Sequence, residues 1–166
     1  MTVKSLAHTA VCVPDVDEAV DWYRDVLGMK VLSHPYEMSG EDIERDMGEL
    51  VPGVRLKAAI VGFDRSDHVL ELIEYVGAPA GAGVRKMTDV GISHVGLVCD
   101  DLDATRAELE ERGAWFVTSS IASVAGLRTT WLADPYGTVL ILVEKRVDDR
   151  PYWRQPVRSE ASPPGG

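Results

Sequence analysis

The chain has 166 residues, 45% of them hydrophobic and 27% charged, and 17 Lys and Arg against 27 Asp and Glu give a formal net charge of −10. This is the composition of a folded globular chain of one domain or two very small ones. The acidic balance disfavours nucleic acid as a partner, and no apolar run approaches the roughly 20 residues of a membrane span.

The opening segment MTVKSLAHTAV lacks the basic head and long apolar stretch of a secretion signal. The expected location is therefore the cytoplasm. Cys12 and Cys99, each inside an apolar run, are expected to be reduced and buried there. Residues 6–13, LAHTAVCV, read as a strand. Pro14 and Asp15 mark a turn, and Asp15 or Asp17 can cap a helix. In that helix Ala19, Val20, Tyr23, Val26 and Leu27 recur on one face, and Gly28 stops it. MKVLSHP resumes as a strand up to Pro35. The acidic stretch Glu37 to Pro52, with a helical turn around Glu41 to Met47, reads either as cover for a site or as a solvated loop. VRLKAAIVGF and HVLELIEY are two more strands joined by the turn DRSD.

The same order then recurs. GISHVGLVCD reads as a strand. Asp101 or Asp103 caps a helix with Leu102, Thr105, Leu109 and Arg112 at helical spacing, and Gly113 stops it. AWFVTSS, LRTTWLAD and TVLILVEK read as three strands, with DPYG turning the chain between the last two. LAHTAVCVPDVD aligns with ISHVGLVCDDLD without a gap at an offset of 94 − 8 = 86, which places His8 on His94, Asp15 on Asp101 and Asp17 on Asp103. The expected organisation is a first β-α-β-β-β module over 1–76, a Gly/Ala-rich linker over 77–90, a second module over 91–146 and a polar, proline-rich tail over 147–166. In that tail Tyr152 and Trp153 are the natural anchors for contact with a neighbour. The four tryptophans are expected mostly in the core, with Trp131 near a pocket, and His34 and His68 near turns facing solvent.

Two tandem modules of this kind, each opening on a His-bearing strand, resemble the vicinal oxygen chelate superfamily, which includes glyoxalase I, methylmalonyl-CoA epimerase, extradiol dioxygenases and bleomycin-resistance proteins. The strings LAHTAVCVPDVDEAVDWYRDVLGMKV, VLELIEY, ISHVGLVCDDLDATRAELEERGA and DPYGTVLILVE carry the resemblance. It implies an α+β fold whose two modules form a cupped mixed sheet around a central site. It also implies metal ligands at His8, Glu71 and His94. The fourth ligand position of the pattern is Ile141, where Glu is usual. Side chains alternate along a strand, so Glu144 lies on the opposite face from Ile141, and Glu74 on the opposite face from Glu71.

Two His and one carboxylate with open positions suit a divalent ion, whether Fe, Zn, Ni, Co or Mn. A buried carboxylate must be coordinated or paired, and the alternative to coordination is pairing of Glu71 with Arg55 or Arg128. The resemblance leaves three readings. The first is a metal-dependent lyase or isomerase on a small oxygenated metabolite, with Glu71 as its catalytic base. The second is an Fe(II) extradiol-type dioxygenase using the two His and Glu71. The third is a non-catalytic drug-binding protein. A small-molecule partner and a homodimer are expected.

Overall fold

The computed structural model describes residues 4–64, 68–78, 86–124 and 127–155. It divides into two compact units, Met1–Gly83 and Val84–Gly166. Residues 79–85 of the expected linker and 156–166 of the expected tail lie outside the described residues.

The first unit runs β1 (His8–Cys12), α1 (Val16–Asp25), β2 (Lys30–Met38), α2 (Glu41–Met47), β3 (Leu56–Gly62) and β4 (Val69–Tyr75). Its sheet has the order β1-β4-β3-β2, with β1 parallel to β4 and the other pairs antiparallel. The second unit repeats the plan as β5 (Val95–Cys99), α3 (Leu102–Glu111), β6 (Trp115–Phe116), β7 (Ala122–Val124), β8 (Leu127–Ala133) and β9 (Val139–Glu144). Its order is β5-β9-β8-β6, with β7 also on β8 and β5 parallel to β9. The chain is thus α+β, with the same mixed sheet built twice.

Equivalent residues start and stop the two helices. The Asp15 side chain accepts from Glu18 N and that of Asp101 from Ala104 N, each at 3.0 Å, which satisfies an amide with no partner inside the helix. Gly28 (φ 71°) and Gly113 (φ 88°) then take the left-handed conformation that lets the chain leave. The periodic face of α1 is buried as expected: Val16, Ala19 and Tyr23 have no exposure and Val20 almost none. Each large side chain among them contributes about 1.5–3 kcal/mol. Opposite lie Leu70 and Leu72 of β4 and Ala59 and Val61 of β3, all buried. In the second unit Leu102 and Leu109 of α3 take that part beside Leu132, Leu140 and Leu142.

Several local expectations are corrected. Pro35 does not end β2, which continues to Met38. The pairing with β3 slips between Val31 and Ser33 and again between Ser33 and Tyr36, and on an edge strand such a slip accommodates a residue lacking an N–H. His34 accordingly sits within a strand, though exposed. Only Trp115 and Phe116 of AWFVTSS pair, and the next strand begins at Ala122. The tryptophans are not core residues: Trp115 and Trp153 are 67% and 66% exposed, and Trp22 and Trp131 are half-buried. Cys12 is exposed, because it shares the alternating face of His8 and Ala10 while Val11 faces the helix. Cys99 is half-buried and, like Cys12, a free thiol. Among the described residues no helix is long and apolar enough to cross a membrane.

Candidate functional site

Each sheet has one face against its helix and one open face, and strand parity decides which residues stand on the open one. In the first unit β1 pairs His8 with Val69 and Ala10 with Glu71, and β3 pairs Ile60 with Glu71. His8, Ala10, Glu71, Ile60 and Ile73 therefore share the open face. His8 and Glu71 are diagonal neighbours on adjacent parallel strands, and His8 Nε2 stands 3.2 Å from Glu71 Oε2. His8 is about half exposed (49%), whereas Glu71 is 19% exposed. Tyr75 lies on the same face, and burial, reinforced by Cys12 and Glu71 nearby, pushes its phenol up, so it stays protonated. Sequence reasoning passed over Tyr75, although its spacing of four residues from Glu71 on one strand was the available signal.

The acidic excursion lies over this face. Ile43 and Met47 of α2, with Val51, pack against a cluster of Val54, Leu56 and Ala58 that Ile73 and Tyr75 also join. The segment combines both features: its apolar side chains pack against the Leu56–Ala58 end of the sheet, while α2 itself has no buried residue.

The carboxylates on the helix faces have structural work. Glu74 Oε2 accepts from Val16 N at 3.1 Å, at the start of α1. In the second unit Glu144, 5% exposed, meets Arg128 at 3.3 Å, and Arg128 also binds Asp103 at 2.8 Å. The hydrogen bond it donates to Asp103, with Glu144 adding to it, holds the guanidinium firmly charged. Lys57 bonds to Asp17 in the corresponding place of the first unit. Arg128 is thereby committed to Glu144 and Asp103, and among the described residues the observed side-chain partner of Glu71 is His8 rather than an arginine.

His94 precedes β5. Its Nδ1 lies 2.7 Å from Ser93 Oγ, and its ring meets Trp131 edge to face, with centroids 4.9 Å apart. Both contacts constrain the ring's orientation. Ile141 pairs with Gly96 on one side and Trp131 on the other. Position 141 thus stands on the open face of its sheet as Glu71 does on its own, and it presents a hydrocarbon. Glu144, of opposite parity, is turned toward α3 and cannot replace it. The open face carries a cleft of about 550 Å³ whose lining includes His94, Thr129, Trp131, Ile141 and Tyr152.

The His8–Glu71 geometry suits a divalent ion. Ligand bonds of about 2.0–2.1 Å separate two donor atoms by roughly 2.9 Å at a right angle and roughly 3.3 Å at a tetrahedral one. The observed 3.2 Å falls in that interval. An imidazole nitrogen and a carboxylate oxygen also suit the ions named above. Within each unit taken alone, no group of three or more His, Cys, Asp or Glu side chains gathers among the described residues. His8 and Glu71 belong to the first unit and His94 to the second.

Comparison with known proteins agrees with this layout. The family model of the Glyoxalase/Bleomycin resistance protein/Dioxygenase superfamily matches residues 5–142. The uncharacterised Bacillus subtilis protein YwbC is 24% identical over 136 residues, covering 81% of this chain and 92% of that one. Mouse mitochondrial methylmalonyl-CoA epimerase is 28% identical over 109 residues, 64% of this chain and 52% of the mouse protein. The crystal structure of a glyoxalase family protein from Bacillus cereus superposes with a TM-score of 0.73 at 17% identity, covering 87% of this chain and 95% of that one, a likeness of fold. With a family model spanning both modules and the doubled sheet behind it, the chain belongs to the Glyoxalase/Bleomycin resistance protein/Dioxygenase superfamily.

Proposed function

We propose that this protein is a metal-dependent enzyme acting on a small oxygenated metabolite, as a lyase or isomerase, with His8, Glu71 and His94 as the ligands of one divalent ion. The observation that carries the reading is the His8–Glu71 pair: donor atoms 3.2 Å apart on the open face of a sheet. When bound, the ion would supply Lewis-acid polarisation of the substrate's neighbouring oxygens.

The residues have distinct tasks. Ser93 Oγ lies 2.7 Å from His94 Nδ1; with the proton on Nδ1 and the hydroxyl accepting, the Nε2 lone pair would be left for coordination, as an outer partner sets the tautomer of a ligating histidine. Glu71 is the base, taking a proton from the carbon beside the substrate's oxygens. Its position on the open face, next to His8, supports this role. Tyr75, kept protonated, offers a hydrogen-bond donor on the same face. The mirror position of Glu71 is Ile141, so the chain has one base. That favours a one-base isomerisation or elimination over a two-base epimerisation. The similarity to methylmalonyl-CoA epimerase supports the isomerase class and not that substrate.

The test is metal content after reconstitution with Fe, Zn, Ni, Co or Mn in turn. The reading expects close to one equivalent of a transition ion per chain, lost in Glu71→Ala. Uptake below about 0.1 equivalent of every ion, for a donor set of the kind that binds them, would overturn it. Oxygen consumption confined to the Fe(II) form would assign the dioxygenase reading instead. A homodimer belongs to the same proposal, and a monomeric mass by light scattering at micromolar concentration contradicts it.

A further inference from the structure

The cleft of the second unit is lined entirely by residues of that unit. Ile141 and Gly96, paired across β9 and β5, form its floor. A Cβ built on Gly96 would stand 3.7 Å from Ile141 Cγ2, an ordinary contact. The glycine is therefore not required by crowding, and it leaves room that a side chain would take. Trp131 forms one wall.

Tyr152 forms another, and it comes from outside the sheet, in a single 3₁₀ turn over Tyr152–Arg154. Gln155 fixes its place. The Gln155 side-chain oxygen accepts from Arg146 N at 2.9 Å and Val147 N at 2.8 Å, and its Nε2 donates to Val147 O at 2.9 Å and Arg150 O at 3.0 Å. One side-chain amide thus closes the loop that carries Tyr152 back to the cleft. Among the described residues no Asp, Glu, Lys or Arg lines the cleft; its polar side-chain groups are the Thr129 and Tyr152 hydroxyls and the His94 ring.

About 550 Å³ is the size of a small-molecule pocket. Two aromatic walls and a hydrocarbon floor favour a planar apolar body. A charged group would lose its water there without gaining an oppositely charged side chain. We infer that this cleft seats an uncharged, planar apolar group of the substrate, an aromatic ring or an equivalent conjugated system, with Gly96 and Ile141 as the floor and Tyr152, positioned by Gln155, as a wall. The inference rests on reading the chain as a small-molecule enzyme and names the substrate class. At the position where a second carboxylate would mirror Glu71, the chain holds carbon.

The experiment is calorimetric titration of 2-naphthol, with phenol and cyclohexanol for comparison, into metal-free protein in chelator. With no ion present, the result stands apart from that of the metal test. Saturable binding of one 2-naphthol per chain is expected, tighter than phenol and much tighter than cyclohexanol. Gly96→Leu, which fills the floor, should weaken 2-naphthol by about tenfold or more through steric overlap. Tyr152→Ala and Gln155→Ala should each weaken it and erase its advantage over phenol at unchanged melting temperature, a selectivity change that loss of mere structural support would not produce. Trp115→Phe, on the exposed part of β6, should bind as the parent. Absence of saturable binding to the parent, or parent-like binding by both Gly96→Leu and Tyr152→Ala, overturns the inference. So does a fall in oligomeric mass in Gly96→Leu, which would put a second copy of the chain in the cleft.

Discussion

Glu71 and Glu144 are both on last strands, and their parity gives them opposite roles that a stability measurement separates. Glu144 is 5% exposed and faces Arg128, whose side chain is 18% exposed. Removing one member of a fully buried ion pair costs about 3–5 kcal/mol, because the other charge is left without compensation. Here Arg128 keeps Asp103 at 2.8 Å, and the bonds lost are long, at 3.3 and 3.4 Å. Glu144→Ala is therefore expected to cost about 2 kcal/mol, below that range. Glu71 instead meets a histidine that is half in water, and pairs of that kind contribute about 0–1 kcal/mol. At about 2–4 °C per kcal/mol for a chain of this length, Glu144→Ala should lower the melting temperature by roughly 4–8 °C. Glu71→Ala should lower it by no more than about 4 °C on the same scale. The assay is urea and thermal unfolding in chelator, with Arg128→Leu/Glu144→Leu recovering much of the loss. If Glu71→Ala costs as much as Glu144→Ala, Glu71 is a structural residue and the reasoning from parity and exposure fails.

Other outcomes follow from the same geometry. Ile141→Glu places a carboxylate in an apolar cleft; it should destabilise the metal-free chain by about 1–3 kcal/mol and regain that loss when a transition ion is added, read by thermal shift. Burial pushes the Cys99 thiol up, so below its unfolded-state pKa the native state holds that proton fully, and the contribution to stability fades as pH rises through the native value. At pH 8 a disulfide reagent should accordingly find one fast thiol, the exposed Cys12, and one slow one, with Cys12→Ser removing the fast phase. Asp15→Ala and Asp101→Ala should each cost about 1 kcal/mol by urea unfolding, since each removes an N-cap acceptor.

Much of this architecture could be read from period and repetition. An ungapped offset aligned His8 with His94 and both aspartate caps, and the caps form with matching geometry. Alternation along the last strands put Glu71 and Ile141 on open faces and Glu74 and Glu144 on helix faces, as found. The same alternation, carried from His8 through Ala10, would have placed Cys12 in the open; hydrophobic composition overrode it, and the expectation of burial failed. Trp115 failed for a related reason, since a large apolar side chain on a two-residue edge strand has little to pack against. Arg128 was legible as a cation but not as the partner of Glu144, because that pairing depends on a cross-strand register the sequence does not state. The Gln155 clasp and the place of Tyr152 had no local signal, as they arise from one amide bridging backbone groups on both sides of a loop.

The central claim is that His8, Glu71 and His94 bind one ion, and a Co²⁺ titration followed by visible absorbance tests it most directly. The account predicts one equivalent per chain, with His8→Ala, Glu71→Ala and His94→Ala each weakening binding by about tenfold or more, as loss of a direct ligand should. Parent-like Co²⁺ binding by all three alanine variants would contradict it.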